Sequence, residues 1–159
     1  MKRTSTIFLQ GVVVLIGIVA LIVLVRLPLT EGRAANLDLF SIYADPLILY
    51  GYVASIAFFI ALYKAFKLLG YVGQNRVFSP VSVSTLKSIK YCAIALGILI
   101  AGAAVYIKIS HNKDDDPAGF IAMCGIITFV CVVVATAAAI FEKVLQKAID
   151  IKSENELTV

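Results

Sequence analysis

Charge is what this sequence has least of. Of its 159 residues 61% are hydrophobic and only 15% are charged, and the mean hydropathy is +0.98. A soluble domain carries about 25% charged residues, so a single large aqueous core is excluded in favour of helices that face lipid. Charge is missing altogether from residues 7–25, 47–63, 91–107 and 120–141. A membrane span needs about 20 mostly apolar residues, and roughly 17 suffice. The two shorter runs continue as amphipathic helix at their ends, so four spans are expected. Without ionisable groups inside them, the spans are poor material for proton pumps, voltage sensors or ion-coupled transporters. None of the four prolines falls mid-span, which argues against the broken helices of transporters. No P-loop, nucleophile elbow, HExxH or paired-cysteine motif occurs, so no enzyme and no cofactor are expected.

Acid is missing from residues 64–90, which hold Lys64, Lys67, Arg76, Lys87 and Lys90. Lys2 and Arg3 precede the first span, and Lys143, Lys147 and Lys152 follow the fourth. The other two loops hold only Arg26, Arg33, Lys108 and Lys113, among several acids. The positive-inside rule therefore places both termini and residues 64–90 in the cytoplasm. The net charge of +4 is then a topology signal, and direct nucleic-acid binding is not expected. Lys2-Arg3 before an apolar run also resembles a signal peptide, whose cleavage would leave three spans. The run is longer than the usual h-region, and Arg26-Leu27-Pro28 offers no small-residue cleavage pattern, which favours a retained anchor.

Pro46, Pro80 and Pro117 each follow a side-chain acceptor, namely Asp45, Ser79 and Asp116. An Asp or Ser N-cap followed by Pro at the first helical position is a helix start. Helices are thus expected from 46, 80 and 117, with spans of about 7–25, 47–69, 80–107 and 117–141. Phe78 and Val83 have the spacing of a hydrophobic staple. Gly70 or Gly73 would stop the second helix. The fourth helix meets no breaker before about Lys152, leaving residues 142–159 as a helical extension with an acidic end. On that extension Phe141, Val144, Leu145, Ala148 and Ile151 are expected on one face, the charged residues mostly on the other. Its net charge of −1 from Phe141 onward faces +5 in residues 64–90, so the tail is expected either to pack near that basic segment or to remain a solvated helix.

Cysteine and histidine are sparse. Cys124 and Cys131 share a helical face with Thr128, Ala135 and Ala138, whereas Cys92 lies ~20 Å from Cys124 in depth at 1.5 Å per residue. Metal–sulfur bonds of about 2.3 Å cannot bridge that, so the cysteines read as small packing residues and no metal is expected. His111 with Asp114, Asp115 and Asp116 could hold a cation, but the acids also suit the positive end of the fourth helix. Ala93, Gly97 and Ala101 repeat every four residues, and Ala135 and Ala139 do so on the fourth span. Small residues at this spacing let helices approach closely in lipid, either within the bundle or between copies in a homo-oligomer.

The stretch "GQNRVFSPVSVSTLKSIKY" together with the ending "AIDIKSENELTV" resembles a family of small bacterial membrane proteins, the one catalogued as domain of unknown function 2975. The likeness covers nearly the whole chain. It is carried by Phe78 and Ser79, by Leu86 and Ile89 downstream, and by Glu154, Asn155, Leu157, Thr158 and Val159. It departs at Pro80 and Val81, where members often carry acidic or amide residues. The family has no assigned activity. Its members are often encoded beside a small helix-turn-helix regulator, so the resemblance implies a membrane partner for a transcription regulator.

These readings converge on an all-α integral membrane four-helix bundle in a bacterial plasma membrane, with both termini cytoplasmic. The expected function is non-catalytic docking of a cytoplasmic protein, through Arg76, Phe78, Ser79, Leu86 and Ile89 and through Glu154, Asn155, Leu157 and Thr158. The alternative is a small transporter or channel subunit for an apolar substrate.

Overall fold

A computed structural model of the chain describes residues 3–30, 45–110 and 117–157. Every described element is a helix: α1 (Arg3–Thr30), α2 (Pro46–Gly73), α3 (Pro80–Ser110) and α4 (Ala118–Leu157). All four are long and apolar enough to cross a membrane. The side chains of residues 3, 27–30, 110 and 156–157 are not described, and His111, Asp114, Asp115, Asp116, Thr158 and Val159 lie outside the described residues altogether.

The helix starts follow the capping chemistry. The Leu47 N–H donates to Asp45 Oδ1 at 2.8 Å, with Pro46 at the first helical position. The Ser82 N–H lies 3.4 Å from Ser79 Oγ and donates to the Ser79 carbonyl at 3.0 Å. At α4 the Pro117 carbonyl accepts from Ile121, and the helix begins one residue later than expected, at Ala118.

α2 ends at Gly73, one of the two expected stops; the left-handed residue beyond it is not a glycine but Asn75, with φ of 56°. Gly70 and Gly73 instead admit α1, since a Cβ on Gly73 would lie 3.1 Å from Thr6 Cγ2 and one on Gly70 would lie 3.4 Å from Gln10 Nε2. The staple expected of Phe78 is corrected: Phe78 is 63% exposed, and it is Val77 that packs, as Val83 does, against the apolar cluster. α4 continues to Leu157 and so absorbs the acidic end, with the Ser153 hydroxyl donating back to the Asp150 carbonyl at 2.8 Å. At 40 residues it is ~60 Å long, about twice the ~30 Å hydrocarbon core.

Extensive packing is confined to chain neighbours, α1 on α2, α2 on α3 and α3 on α4, with α3–α4 the largest. Among the described residues no extensive contact joins α1 to α4. The α3–α4 seam has a seven-residue repeat. On α4, Cys124, Cys131, Ala138 and Leu145 are all buried, and Thr128, Ala135 and Glu142 are half-buried between them. On α3, Ser82, Leu86, Ile89 and Ala93 are buried at alternating steps of four and three. This is the spacing that keeps one edge of each helix facing its partner in a left-handed pair. Gly97 sets the approach: a Cβ there would lie 3.2 Å from Cys131 Cβ.

α1 sits low against α2. Gln10 donates to the Phe66 carbonyl at 3.3 Å, and a Cβ on Gly17 would meet Leu62 at 3.0 Å. The start of α1's apolar run thus lies beside the stretch of α2 that carries Lys64 and Lys67. Lys67 folds over the Tyr63 ring, with Nζ 5.3 Å from its centroid.

Gly97→Val is expected to lower the thermal unfolding midpoint in detergent by forcing the seam apart, at a cost of about 1–3 kcal/mol. Gly125, with nothing within 4 Å of its Cβ position, is the control. Gly125→Ala should leave the midpoint unchanged or raise it, since alanine is favoured over glycine in a helix by up to ~1 kcal/mol.

Candidate interaction surface

Lysines and an arginine collect at one end of the helices: Lys64 and Lys67 on α2, Arg76 in the α2–α3 turn, Lys87 and Lys90 on α3, and Lys143 and Lys147 on α4. This basic end is held together by a small core of its own. Leu86, Ile89, Ala138 and Leu145 form a buried cluster, with Ala65, Leu68, Val77 and Val83 packed against it. Two of the residues expected to dock a partner, Leu86 and Ile89, are therefore structural, at 5% and 8% exposure.

The turn into α3 is tied down by hydroxyls. Ser82 is fully buried, its Oγ 3.1 Å from Ser79 Oγ and donating to the Arg76 carbonyl at 3.2 Å. The Thr85 hydroxyl satisfies itself on the Val81 carbonyl at 2.8 Å. Ser79 thus acts as a cap and turn residue, and the side chains this rigid turn presents outward are Arg76, Phe78 and Val81.

An ion pair ties α4 to α3. Lys90 Nζ donates to Glu142 Oε2 at 2.6 Å, both side chains are about one-fifth exposed, and the ammonium lies 5.2 Å from the Tyr91 ring centroid. The tail helix meets the basic segment here and at Leu145. Glu154 and Asn155 are exposed on the far turns of α4, and Leu157 closes the helix. The expected apolar face of the extension is divided: Leu145 faces α3 and Ala148 is half-buried, while Phe141, Val144 and Ile151 are 58–60% exposed. The repeat of the seam decides this, because it places Glu142 and Leu145 towards α3 and turns the stripe 141, 144, 151 away.

Ala93 and Gly97 are buried in the α3–α4 contact, while Ala101, Ala135 and Ala139 are half-buried and line a groove of about 550 Å³ beside it. Near the other end, a cavity of about 470 Å³ is walled by all four helices, from Leu24, Tyr52, Phe58 and Ala103 to Phe120 and Met123. The Tyr50 hydroxyl, beside that cavity, is spent on the Leu99 carbonyl at 2.8 Å. Among the described residues no group of three or more His, Cys, Asp or Glu comes together as metal ligands would. Gln10 is a polar span residue that charge counting passes over; a search for amides as well as charges would have found it.

The family described as "Protein of unknown function (DUF2975)" matches residues 28–159. The chain belongs to this family. The match takes in α2, α3 and α4 whole, and with them the buried cluster, the ion pair and the exposed stripe. A curated relative is 44% identical over 161 residues, covering 100% of both chains; it is named "Uncharacterized membrane protein YoaS" and comes from Bacillus subtilis (strain 168). No solved structure matches the chain.

Leu145→Ala should destabilise by ~2–5 kcal/mol as a cavity opens in the cluster, whereas Val144→Ala should stay within about 0.5 kcal/mol. Both are read as thermal midpoints in detergent. In a charge exchange, Lys90→Glu and Glu142→Lys should each lower the midpoint, and the double exchange should recover most of the loss. A double variant no better than the singles would show that the pair contributes nothing.

Proposed function

We propose that this membrane protein is a non-catalytic docking platform of the bacterial plasma membrane, its basic end in the cytoplasm. The observation that carries the reading is apolar surface at the basic end. Phe78, Val81, Phe141, Val144 and Ile151 are all more than half exposed there, several on turns that length alone carries past the bilayer. Exposed apolar side chains among charged neighbours mark sites of protein contact. Exposed Arg76 in the turn and exposed Glu154 and Asn155 on the far turns of α4 add both signs of charge to orient a partner. The partner class is the one that the family resemblance implies, a small helix-turn-helix regulator, held as a protein ligand without direct nucleic-acid contact. The positive-inside bias supports the orientation.

The four-walled apolar cavity favours a second reading, a transporter or channel subunit for a small apolar molecule. One set of experiments separates the two. A single cysteine at Gln146 in a cysteine-free background should react with an impermeant maleimide only after cells are permeabilised; labelling of intact cells would reverse the topology. A photo-crosslinking residue at Val144 should give a discrete adduct with another protein, absent from the same residue at the 68%-exposed Phe129 in the span. Adducts confined to lipid or to copies of the chain would remove the docking reading and leave the cavity.

A further inference from the structure

The groove beside the α3–α4 seam has a basic mouth at Lys90. Its α3 wall is Lys90, Ile94, Gly97, Ile98 and Ala101, and its α4 wall runs from Thr128 to Ala139. Lys87 stands one turn before Lys90, and Lys143 one turn beyond Ala139, so both continue the walls at the basic end, and both are exposed. Three cations thus gather where the groove opens. Along α3 the wall from Lys90 to Ala101 rises ~16 Å, about half of the ~30 Å hydrocarbon core, which is the depth of one leaflet. The Thr128 hydroxyl, near the inner end of the groove, is buried without a hydrogen-bond partner among the described residues.

We propose that this groove binds one anionic phospholipid of the leaflet at the basic end, its acyl chain lying along Ala93, Gly97 and Ala101 and its phosphate at Lys87, Lys90 and Lys143. Small side chains leave the volume a chain needs, and the lysines select the headgroup by charge. Glu142 holds Lys90 at the mouth, leaving Lys87 and Lys143 to supply the net positive charge. A second copy of the chain is the competing occupant, and charge disfavours it. A two-fold partner of the same topology would set its lysines at the same depth as these, opposing like charges across a low-dielectric contact. A lipid phosphate neutralises them instead.

The chain contains no tryptophan, so one introduced indole is a clean reporter. Val132→Trp places it on the groove wall, and Val133→Trp places it one residue round the helix, at a similarly exposed position that does not line the groove. The proteins are reconstituted in phosphatidylcholine vesicles containing increasing fractions of dibromo-acyl phosphatidylglycerol, or of dibromo-acyl phosphatidylcholine. Quenching at position 132 is expected at a roughly tenfold lower fraction of the anionic lipid than of the zwitterionic one, and at equal fractions at position 133. Lys87→Gln with Lys143→Gln should abolish the preference at 132 while the thermal midpoint holds, because neither side chain is buried. Equal quenching by both lipids at 132 overturns the proposal. So does an indole at 132 that neither lipid quenches while a cysteine at Ala101 cross-links two copies, which assigns the groove to a dimer.

Discussion

The close approach of α3 and α4 is the constraint from which the rest follows. Gly97 against Cys131 brings the two backbones together, and the seven-residue repeat carries that contact from Cys124 to Leu145 without a break. Lipid tails are as apolar as the helices they surround, so burial of hydrocarbon cannot drive this pairing; close packing of small side chains can. At the basic end the same register carries larger side chains, and Leu86, Ile89 and Leu145 close into a buried cluster with Ala138.

The seam has consequences in both regions. In the span, using alanine and glycine on the flanks leaves a groove as well as a contact. At the basic end, the register fixes which side chains of α4 face inward, so Glu142 meets Lys90 and the stripe of Phe141, Val144 and Ile151 is turned out. The docking surface proposed for this chain is the remainder left by a packing rule. The lipid groove is the other remainder. Phe141 and Val144 flank Lys143, so the two adjoin on α4.

α1 plays a different part. Thr6 is its only buried residue among those described, and the helix meets α2 through close approaches at Gly17, Gly70 and Gly73 and through hydrogen bonds of Gln10 and Tyr52. Its apolar run overlaps in depth with Lys64 and Lys67. Long basic side chains tolerate such placement by laying their stems along apolar surface and extending their charge towards the headgroups.

How much was legible beforehand divides along one physical line. Length, hydropathy and capping residues determined the four helices, because backbone hydrogen bonds in lipid leave no other solution for long uncharged runs, and Asp45 and Ser79 satisfy the first free N–H groups locally. The family was legible too, in the Phe78–Ile89 stretch and the acidic ending. Which face of each helix is inside was not. Hydropathy put Phe141, Val144 and Leu145 together, yet only Leu145 is buried, and the family motif offered Leu86 and Ile89 for docking when they form the core. Where nearly every residue is apolar, hydropathy no longer distinguishes buried from exposed. Side-chain size and the repeat against a neighbouring helix decide it, and those exist only once α3 and α4 are in contact.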